Sequence, residues 1–203
     1  IASTTQLVLT AADPMTADMA SGVKATVYRV DAGAGRPPSG AWLDYAGPFA
    51  LAAAGLHTVE WRSIDQVENT EAVKLMKIAV DAAAPVAAIS LGDPKFTAFG
   101  LDVLSPTSLI SLSALDQVAA GVAVGVQDIL YRVDAKQTNT YAAAFTLPEG
   151  THEVEFWAVD RVGNTGASQK KTLAVSALRA AAISTLDGFS ASGTSDITGP
   201  VLS

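Results

Sequence analysis

Histidine is the first residue type to consider for chemistry, because the chain contains only two, His57 and His152, and no cysteine. Without cysteine there is no thiol nucleophile, no disulfide and no cysteine-ligated zinc. Each histidine opens the same His-x-Val-Glu segment in its own half of the chain, and a catalytic histidine is not usually duplicated in this way. Neither a Gly-x-Ser-x-Gly elbow nor a phosphate-binding glycine loop accompanies them. We therefore expect both histidines to be structural, and we expect no catalytic residue, no bound cofactor and no enzymatic activity.

Acidic residues near turns are the candidates for a metal site, and they are Asp65, Asp81 and Asp160. Ca²⁺ takes about six to eight oxygen ligands, and the turns around these residues offer few carboxylates. No Asp-x-Asp-x-Asp run is present. Asp and Asn also stabilise turns by accepting hydrogen bonds from their own backbone. The sequence therefore predicts no metal, with calcium at these three residues as the alternative.

Tryptophan side chains could stack on sugar rings, and the chain has three of them, Trp42, Trp61 and Trp157. Trp61 shares the inward phase of its predicted strand, and Trp42 closes a long loop. Trp157 falls on the outward phase, as Arg62 does at the same position of the other half, so this pair is the candidate exposed contact. A sugar platform needs a row of exposed aromatic rings, and only Trp157 is predicted to point outward.

The segments that position these residues occur twice in the chain. Three blocks recur in the same order: 7–13 as 110–116, 28–31 (Tyr-Arg-Val-Asp) as 131–134, and 57–69 as 152–164. The first two blocks are offset by 103 positions (131 − 28) and the third by 95 (152 − 57). The difference corresponds to a Gly/Pro-rich loop near residues 33–40 that only the first copy carries. A fixed order of matching blocks indicates an internal duplication.

Nearly every block alternates apolar and polar residues with a period of two, and turn-forming residues separate the blocks, which indicates β-strands. No segment has a sustained helical stripe. A chain of 203 residues has room for two domains of about 100 residues each. We predict an all-β protein of two tandem immunoglobulin-like β-sandwich domains, residues 1–82 and 83–179, followed by an extension, residues 180–203.

Composition excludes several classes of partner. The net charge is −7 and no Lys/Arg-rich patch is present, so the chain is not expected to bind nucleic acid. The longest apolar stretch, residues 118–126, is far shorter than the roughly 20 residues that span a membrane as a helix, so no membrane span is expected. The chain begins at Ile1 rather than Met, which is typical of a processed protein or an excised fragment.

The pattern of residues 22–31, 42–51 and 55–69 resembles the bacterial Ig-like repeats known as OmpL47-type domains. A looser copy covers 131–134, 141–147 and 150–164, and residues 80–85 resemble the family's linker between repeats. The resemblance implies an exported bacterial protein, extracellular or on the cell surface, with spacer or binding modules that bring no catalytic residues. Glu68 stands where the family usually has glycine, as Gly163 does in the second copy, so we expect an altered turn in the first.

The two ends of the chain do not match the repeat. Residues 85–105 precede the shared blocks of the second copy and should form its first strand, whereas the first copy has no such preamble. The surplus at the C-terminus echoes it: Ile183-Ser184 matches Ile89-Ser90, and residues 201–203 match 103–105. The first sandwich therefore lacks an edge strand, and the chain carries a segment of the same character at its other end.

This mismatch predicts self-assembly, because an exposed sheet edge can accept a strand from another molecule and a non-closing contact propagates into a filament. The hypothesis is a head-to-tail homopolymer in which the extension of one subunit completes the first sandwich of the next. The interface residues would be Ala181, Ile183, Thr185, Val201 and Leu202 of the extension and Leu7 and Leu9 of the sandwich. The alternatives are spacer or adhesion repeats excised from a longer surface protein, an unrelated tail, or a carbohydrate-binding accessory module of a secreted hydrolase, with cell-surface polysaccharide as its partner.

Overall fold

A computed structural model of the chain describes residues 1–15, 19–31, 35–98 and 100–177. Within these ranges the protein is all-β: fourteen strands are present and no helix. The extension, with Ala181, Ile183, Thr185, Val201 and Leu202, lies outside the described residues. The predicted fold class, two tandem β-sandwiches, is confirmed by the strand pairing set out below.

The N-terminal sandwich contains six strands. They are β1 (Gln6–Leu7), β2 (Val23–Val30), β3 (Leu43–Asp44), β4 (Phe49–Ala50), β5 (Gly55–Asp65) and β6 (Lys74–Val80). Four of them form an antiparallel sheet in the order β3-β2-β5-β6, and β1 pairs with β4 to form a second, two-stranded layer. The second layer is thin because each of its strands is only two residues long.

The C-terminal sandwich contains eight strands. They are β7 (Val86–Leu91), β8 (Lys95–Ala98), β9 (Leu101–Leu104), β10 (Ile110–Leu115), β11 (Val126–Val133), β12 (Asn139–Thr140), β13 (Gly150–Asp160) and β14 (Gln169–Val175). One sheet has six strands in the order β12-β11-β13-β14-β9-β8, and the other pairs β10 with β7. Within the six-stranded sheet β14 and β9 are parallel, while the other neighbours are antiparallel.

The duplicated blocks form equivalent strands in the same register. Tyr28 lies opposite Trp61 in the β2–β5 pair, and Tyr131 lies opposite Phe156 in the β11–β13 pair. Both pairs shift register near their starts. Next to each pair two aromatic rings stack, Tyr28 on Phe49 at 4.3 Å between centroids and Tyr131 on Phe145 at 4.6 Å. Offset stacking of this kind adds to the area that the rings bury, so it helps to fix both layers at the same point.

The two cores differ in size. The C-terminal core contains ten buried apolar residues around Phe156, which is 2% exposed. The N-terminal core contains four: Leu51, Val59, Ile78 and Val80. Trp61, the counterpart of Phe156, packs against this smaller core but is only partly buried. Since burial of apolar area supplies most of the folding free energy, the described N-terminal sandwich has the weaker support of the two.

The turn after β5 shows that the expected change in the first copy is absent. Asp65 Oδ1 accepts hydrogen bonds from the backbone N–H groups of Val67 and Asn69, and Asp160 Oδ1 accepts the equivalent pair in the second copy. Glu68 adopts φ 69°, in the left-handed region where Gly163 has φ 91°. The prediction of an altered turn is therefore wrong: the Asp and Asn contacts hold the turn, and Glu68 accepts the strained backbone.

We expect Gly163→Ala to destabilise the protein by about 1 kcal/mol, because a Cβ at this φ is strained although no atom lies within 4 Å of it. Glu68→Gly should have the opposite sign and stabilise by up to about 1 kcal/mol, reduced by the loss of its exposed ion pair with Lys24. Chemical denaturation measures both. Gly40→Ala is the control, since Gly40 has open space and no positive φ; equal effects at Gly40 and Gly163 would contradict the explanation.

Candidate functional site

Among the described residues, one edge of the thin layer in the N-terminal sandwich has no partner strand. In the C-terminal sandwich β10 pairs along its whole length with β7, from Ile110–Leu91 to Leu115–Val86. The counterpart of β10 is residues 7–12, where Leu7 pairs with β4 on one side and no strand follows on the other. Val8 is 63% exposed, and Leu9 is half-buried. The predicted interface residues Leu7 and Leu9 therefore lie along an open edge.

The four-stranded layer of the N-terminal sandwich is also largely open at its edge strand β6, which corresponds to β14 of the C-terminal sandwich. In the C-terminal sandwich the outer edge of β14 pairs with β9, which pairs in turn with β8. The equivalent edge of β6 is met only at its end: the Ile1 N-terminus donates to the Ala79 carbonyl at 2.9 Å, and the Asp81 N–H donates to the Ile1 carbonyl at 2.9 Å. Leu75 and Met76 on this strand are about half exposed.

Together these two edges form one surface, which we call the open edge: residues 7–12 and the outer side of β6. Among the described residues the N-terminal sandwich has no counterpart of β7 or β8, and only Ile1 and Ala2 occupy the position of the end of β9, with Ala2 forming a parallel bridge to Asp81. The Leu9 N–H of this edge donates to the Tyr45 hydroxyl at 3.1 Å, and strand edges of this kind can accept an added strand through their remaining backbone groups. The geometry can therefore bind an extended peptide by main-chain hydrogen bonds.

A difference between the copies marks where such a strand would enter. In the C-terminal sandwich the chain reaches β7 through Pro85, which lies so close to Gly166 that a Cβ there would be 2.1 Å from the Pro85 carbonyl oxygen. The counterpart of Gly166 is Glu71 (166 − 95). The Glu71 carboxylate accepts a hydrogen bond from the Ser63 N–H at 2.8 Å, and Lys74 beside it holds the pKa of Glu71 below its ordinary value. The N-terminal sandwich therefore carries the Glu71 carboxylate, just before β6, where the C-terminal sandwich carries Gly166.

The two histidines occupy equivalent places at the starts of β5 and β13. His57 is buried, with Nε2 2.8 Å from the Ala53 carbonyl oxygen and Nδ1 3.3 Å from a carboxylate oxygen of Asp31. His152 has Nε2 3.0 Å from the Pro148 carbonyl oxygen and Nδ1 2.9 Å from Asp134 Oδ2. Each ring thus connects the loop before its own strand to the aspartate that ends the Tyr-Arg-Val-Asp block. These contacts give both histidines a place in the framework of the fold.

The tryptophans do not form a row. Trp42 lies between two cations, with the guanidinium carbons of Arg29 and Arg62 at 4.5 and 4.6 Å from its ring centroid. Cation–π contacts of this kind hold the long loop against the sheet and leave Arg62 engaged rather than free. Trp157 is half-buried in a shallow pocket beside Arg132 and Glu155. Within the described ranges no second ring extends it into a platform, so the geometry gives little support to sugar stacking.

Three buried aspartates converge between the two sandwiches, and we call this group the acidic junction: Asp81, Asp116 and Asp160. Each offers a carboxylate oxygen, and these oxygens lie within 4.8 Å of one another. Two of the three predicted calcium candidates are thus brought together, while Asp65 lies in the turn at the far end of β5. Asp116 was not among the residues predicted from the sequence. Its match to Asp13 in the first duplicated block could have identified it.

Backbone donors hold the acidic junction in place. The Val124 N–H donates to Asp81 Oδ2 at 2.9 Å, and the Gly125 N–H donates to Asp116 Oδ2 at 2.6 Å. Asn164 Nδ2 donates to Asp160 Oδ2 at 2.7 Å and to the Asp81 carbonyl oxygen at 3.1 Å. The other oxygen of Asp116 is buried, and no described group donates to it.

Comparisons with known proteins add little to this geometry. No family model matches the chain, and no curated protein matches it. The solved structures that match include fibronectin(III)-like modules of Clostridium thermocellum CbhA, at 14% identity and a TM-score of 0.39, covering 75% of this chain and 78% of that one. No helix among the described residues is long and apolar enough to cross a membrane.

Glu155 provides a pH test of the face that carries Trp157. Hydrogen bonds from Ser168, at 2.5 Å, and from Arg132 hold its pKa below the ordinary value of 4.5. A carboxyl group whose pKa is lowered by folding stabilises the folded protein at pH values above its ordinary pKa. This stabilisation is lost as the pH falls through the pKa of the folded state. We therefore expect Ser168→Ala to destabilise the protein more at pH 7 than at pH 3, in chemical denaturation at both values.

The matched control for this experiment is Val73→Ala, because Val73 is the counterpart of Ser168 (168 − 95) and offers no hydroxyl to Glu60, the counterpart of Glu155. The effect of Val73→Ala should not depend on pH. A Ser168→Ala penalty that is the same at both pH values would show that the hydroxyl acts through packing rather than through the carboxylate.

Proposed function

We propose that this chain is a non-catalytic, exported bacterial structural subunit with Ig-like repeats of the OmpL47 type, working outside the cell or on its surface. Its N-terminal sandwich, residues 1–82, is completed by strands from another copy, so that subunits assemble head to tail. The observation that supports this is the open edge, which lies where β7, β8 and β9 lie in the C-terminal sandwich, residues 83–179. A contact between unlike surfaces does not close on itself and so extends into a filament.

The proposed donor is the extension, residues 180–203, because its sequence has the character of the strands that are missing. Residues 181–184 repeat Ala-Ala-Ile-Ser from residues 87–90 of β7, and residues 201–203 repeat Val-Leu-Ser from the end of β9. In the C-terminal sandwich Ala87 is buried in the core and Ile89 packs against it. Ala181 and Ile183 would bring the same side chains to the thinner core of the next subunit, beside Leu7 and Leu9.

Opposite charges at the place where the added strand would begin also support the extension as the donor. Aligned on the shared Ala-Ala-Ile-Ser block, Arg179 takes the position of Pro85 (85 + 94). Glu71 takes the position of Gly166. A proline packed on a glycine within one chain would thus correspond to an arginine facing a glutamate between chains. An arginine–carboxylate pair is directional and selects its partner, so this pair would favour the joint between subunits.

Truncation tests the proposal directly. The full chain should sediment as assemblies whose size grows with concentration, whereas residues 1–179 alone should sediment as a monomer. A synthetic peptide of residues 178–203 should bind the truncated chain and raise its melting temperature, because it supplies the missing strand pairing and buries the open edge. A full chain that stays monomeric at high concentration, together with no binding of the peptide, would contradict the proposal and favour a strand supplied from upstream in a longer polypeptide.

A charge exchange tests the entry point separately. Glu71→Arg and Arg179→Glu should each weaken assembly, since each places two like charges at the joint, and the double variant should restore it. Glu68→Arg is the control, because Glu68 is an exposed acid that pairs with Lys24, whereas Glu71 contacts Ser63 and Lys74. Sedimentation at low and moderate salt provides the readout. If the double variant assembles no better than the single ones, Arg179 and Glu71 do not meet.

A further inference from the structure

The acidic junction brings together three buried carboxyl groups for which the described protein supplies no cation. Other buried acids are paired: Glu60 contacts Arg29 at 2.6 Å, and Glu155 contacts Arg132 at 2.7 Å. No lysine, arginine or histidine of the described ranges forms an ion pair with Asp81, Asp116 or Asp160. Buried charges that lack a partner of opposite sign are strongly unfavourable, and three carboxylates within 4.8 Å also repel one another.

One oxygen in the group lacks a hydrogen-bond donor. Asp116 is only 8% exposed; its Oδ2 accepts from the Gly125 N–H, and its Oδ1 has no partner among the described groups. A buried carboxylate oxygen without a donor costs free energy, because it has lost its hydration without replacement. A positive ion would compensate both this oxygen and the clustering of the three carboxyl groups.

The first copy shows what the same framework looks like without a third acid. Asp13 and Asp65 are the counterparts of Asp116 and Asp160, and the Gly22 N–H donates to Asp13 as Gly125 does to Asp116. The Ser21 hydroxyl donates to Asp13 Oδ2 at 3.2 Å, and Ser21 also helps, after Asn69, to lower the pKa of Asp65. In the first copy, therefore, a hydroxyl donor accompanies the two carboxylates.

The second copy replaces that donor with another charge. Val124 stands at the position of Ser21 (21 + 103), so the hydroxyl is absent. Asp81 from the linker fills the space instead, and its Oδ2 accepts from the Val124 N–H. The second copy thus loses a hydroxyl donor and gains a carboxylate acceptor. Additional carboxylate oxygens suit a metal site, whereas a hydrogen-bonded turn needs donors.

We propose that Asp81, Asp116 and Asp160 bind one Ca²⁺ between the two sandwiches. All the ligands offered are hard oxygens, which suit Ca²⁺, while zinc prefers nitrogen and sulfur and Mg²⁺ demands a near-ideal octahedron. Asp81 directly follows β6 and donates its N–H to Ile1, whereas Asp116 follows β10 and Asp160 ends β13. The ion therefore fastens the linker to the second sandwich and stiffens the joint.

Calorimetry and thermal melting of the full chain test this site. We expect one Ca²⁺ per chain, with a dissociation constant of about 0.1–1 mM as in other extracellular modules, and a rise in melting temperature of at least about 5 °C between EDTA and 10 mM CaCl₂. Asp116→Asn should abolish binding and the shift. In EDTA this variant should melt at or above the wild-type temperature, because it removes one of three repelling charges.

Asp13→Asn is the matched control, since it alters the counterpart of Asp116 in the two-carboxylate copy and should leave Ca²⁺ binding unchanged. Should Asp116→Asn fail to fold, Asp81→Asn provides the same comparison through the linker. Absence of Ca²⁺ heat and of any melting shift in the wild type would overturn the proposal. Loss of binding in Asp13→Asn, or an equal response to MgCl₂, would overturn the assignment of the site or of the ion.

Discussion

The need to pair or cover every strand edge governs this structure more than any single side chain. In the C-terminal sandwich β7 pairs with β10 in one layer and β9 pairs with β14 in the other, so a single stretch of chain closes both layers. The described N-terminal sandwich has no such stretch of chain, and its core contains fewer buried apolar residues. Phe156 is almost fully buried while its counterpart Trp61 is only partly so. Core size therefore follows from which strands are present rather than from local sequence.

Interactions within the duplicated segments survive in both copies, whereas some contacts made by the chain that enters each copy do not. The aspartate-to-asparagine turn, the histidine-to-aspartate contact and the stacked aromatic pair recur with nearly the same distances. Each joins segments of one repeat, so duplication carries it along intact. The contacts that differ, such as Pro85 on Gly166, join a repeat to whatever precedes it. The two copies thus share one framework and differ at the entry of the chain.

The difference between local patterns and contacts of distant segments also explains which features could be predicted from the sequence alone. Alternation along strands and the offsets of repeated blocks are local properties, and they sufficed for the fold class and for the pairing of equivalent strands. The acidic junction could be predicted only in part, because Asp116 joins Asp81 and Asp160 through the docking of the linker, which is not local. The environment of Arg62 could not be predicted for a similar reason. Its phase along the strand predicted an exposed side chain, but the loop that carries Trp42 places the indole ring against its guanidinium group.

The covalent joint between the sandwiches is also the best guide to the joint proposed between subunits. Ser176 follows β14 as Asp81 follows β6, and its N–H donates to Leu104 as that of Asp81 donates to Ile1. A joint built after Ser176 would have the two carboxylates Asp13 and Asp65 with the Ser21 hydroxyl beside them, but no third acid. It would therefore have no reason to bind Ca²⁺, and the Arg179–Glu71 pair would supply its charge complementarity instead. On these two proposals, joints along a filament would alternate in chemistry, with Ca²⁺ within each chain and an ion pair between chains. Removal of Ca²⁺ would then loosen subunits internally without separating them.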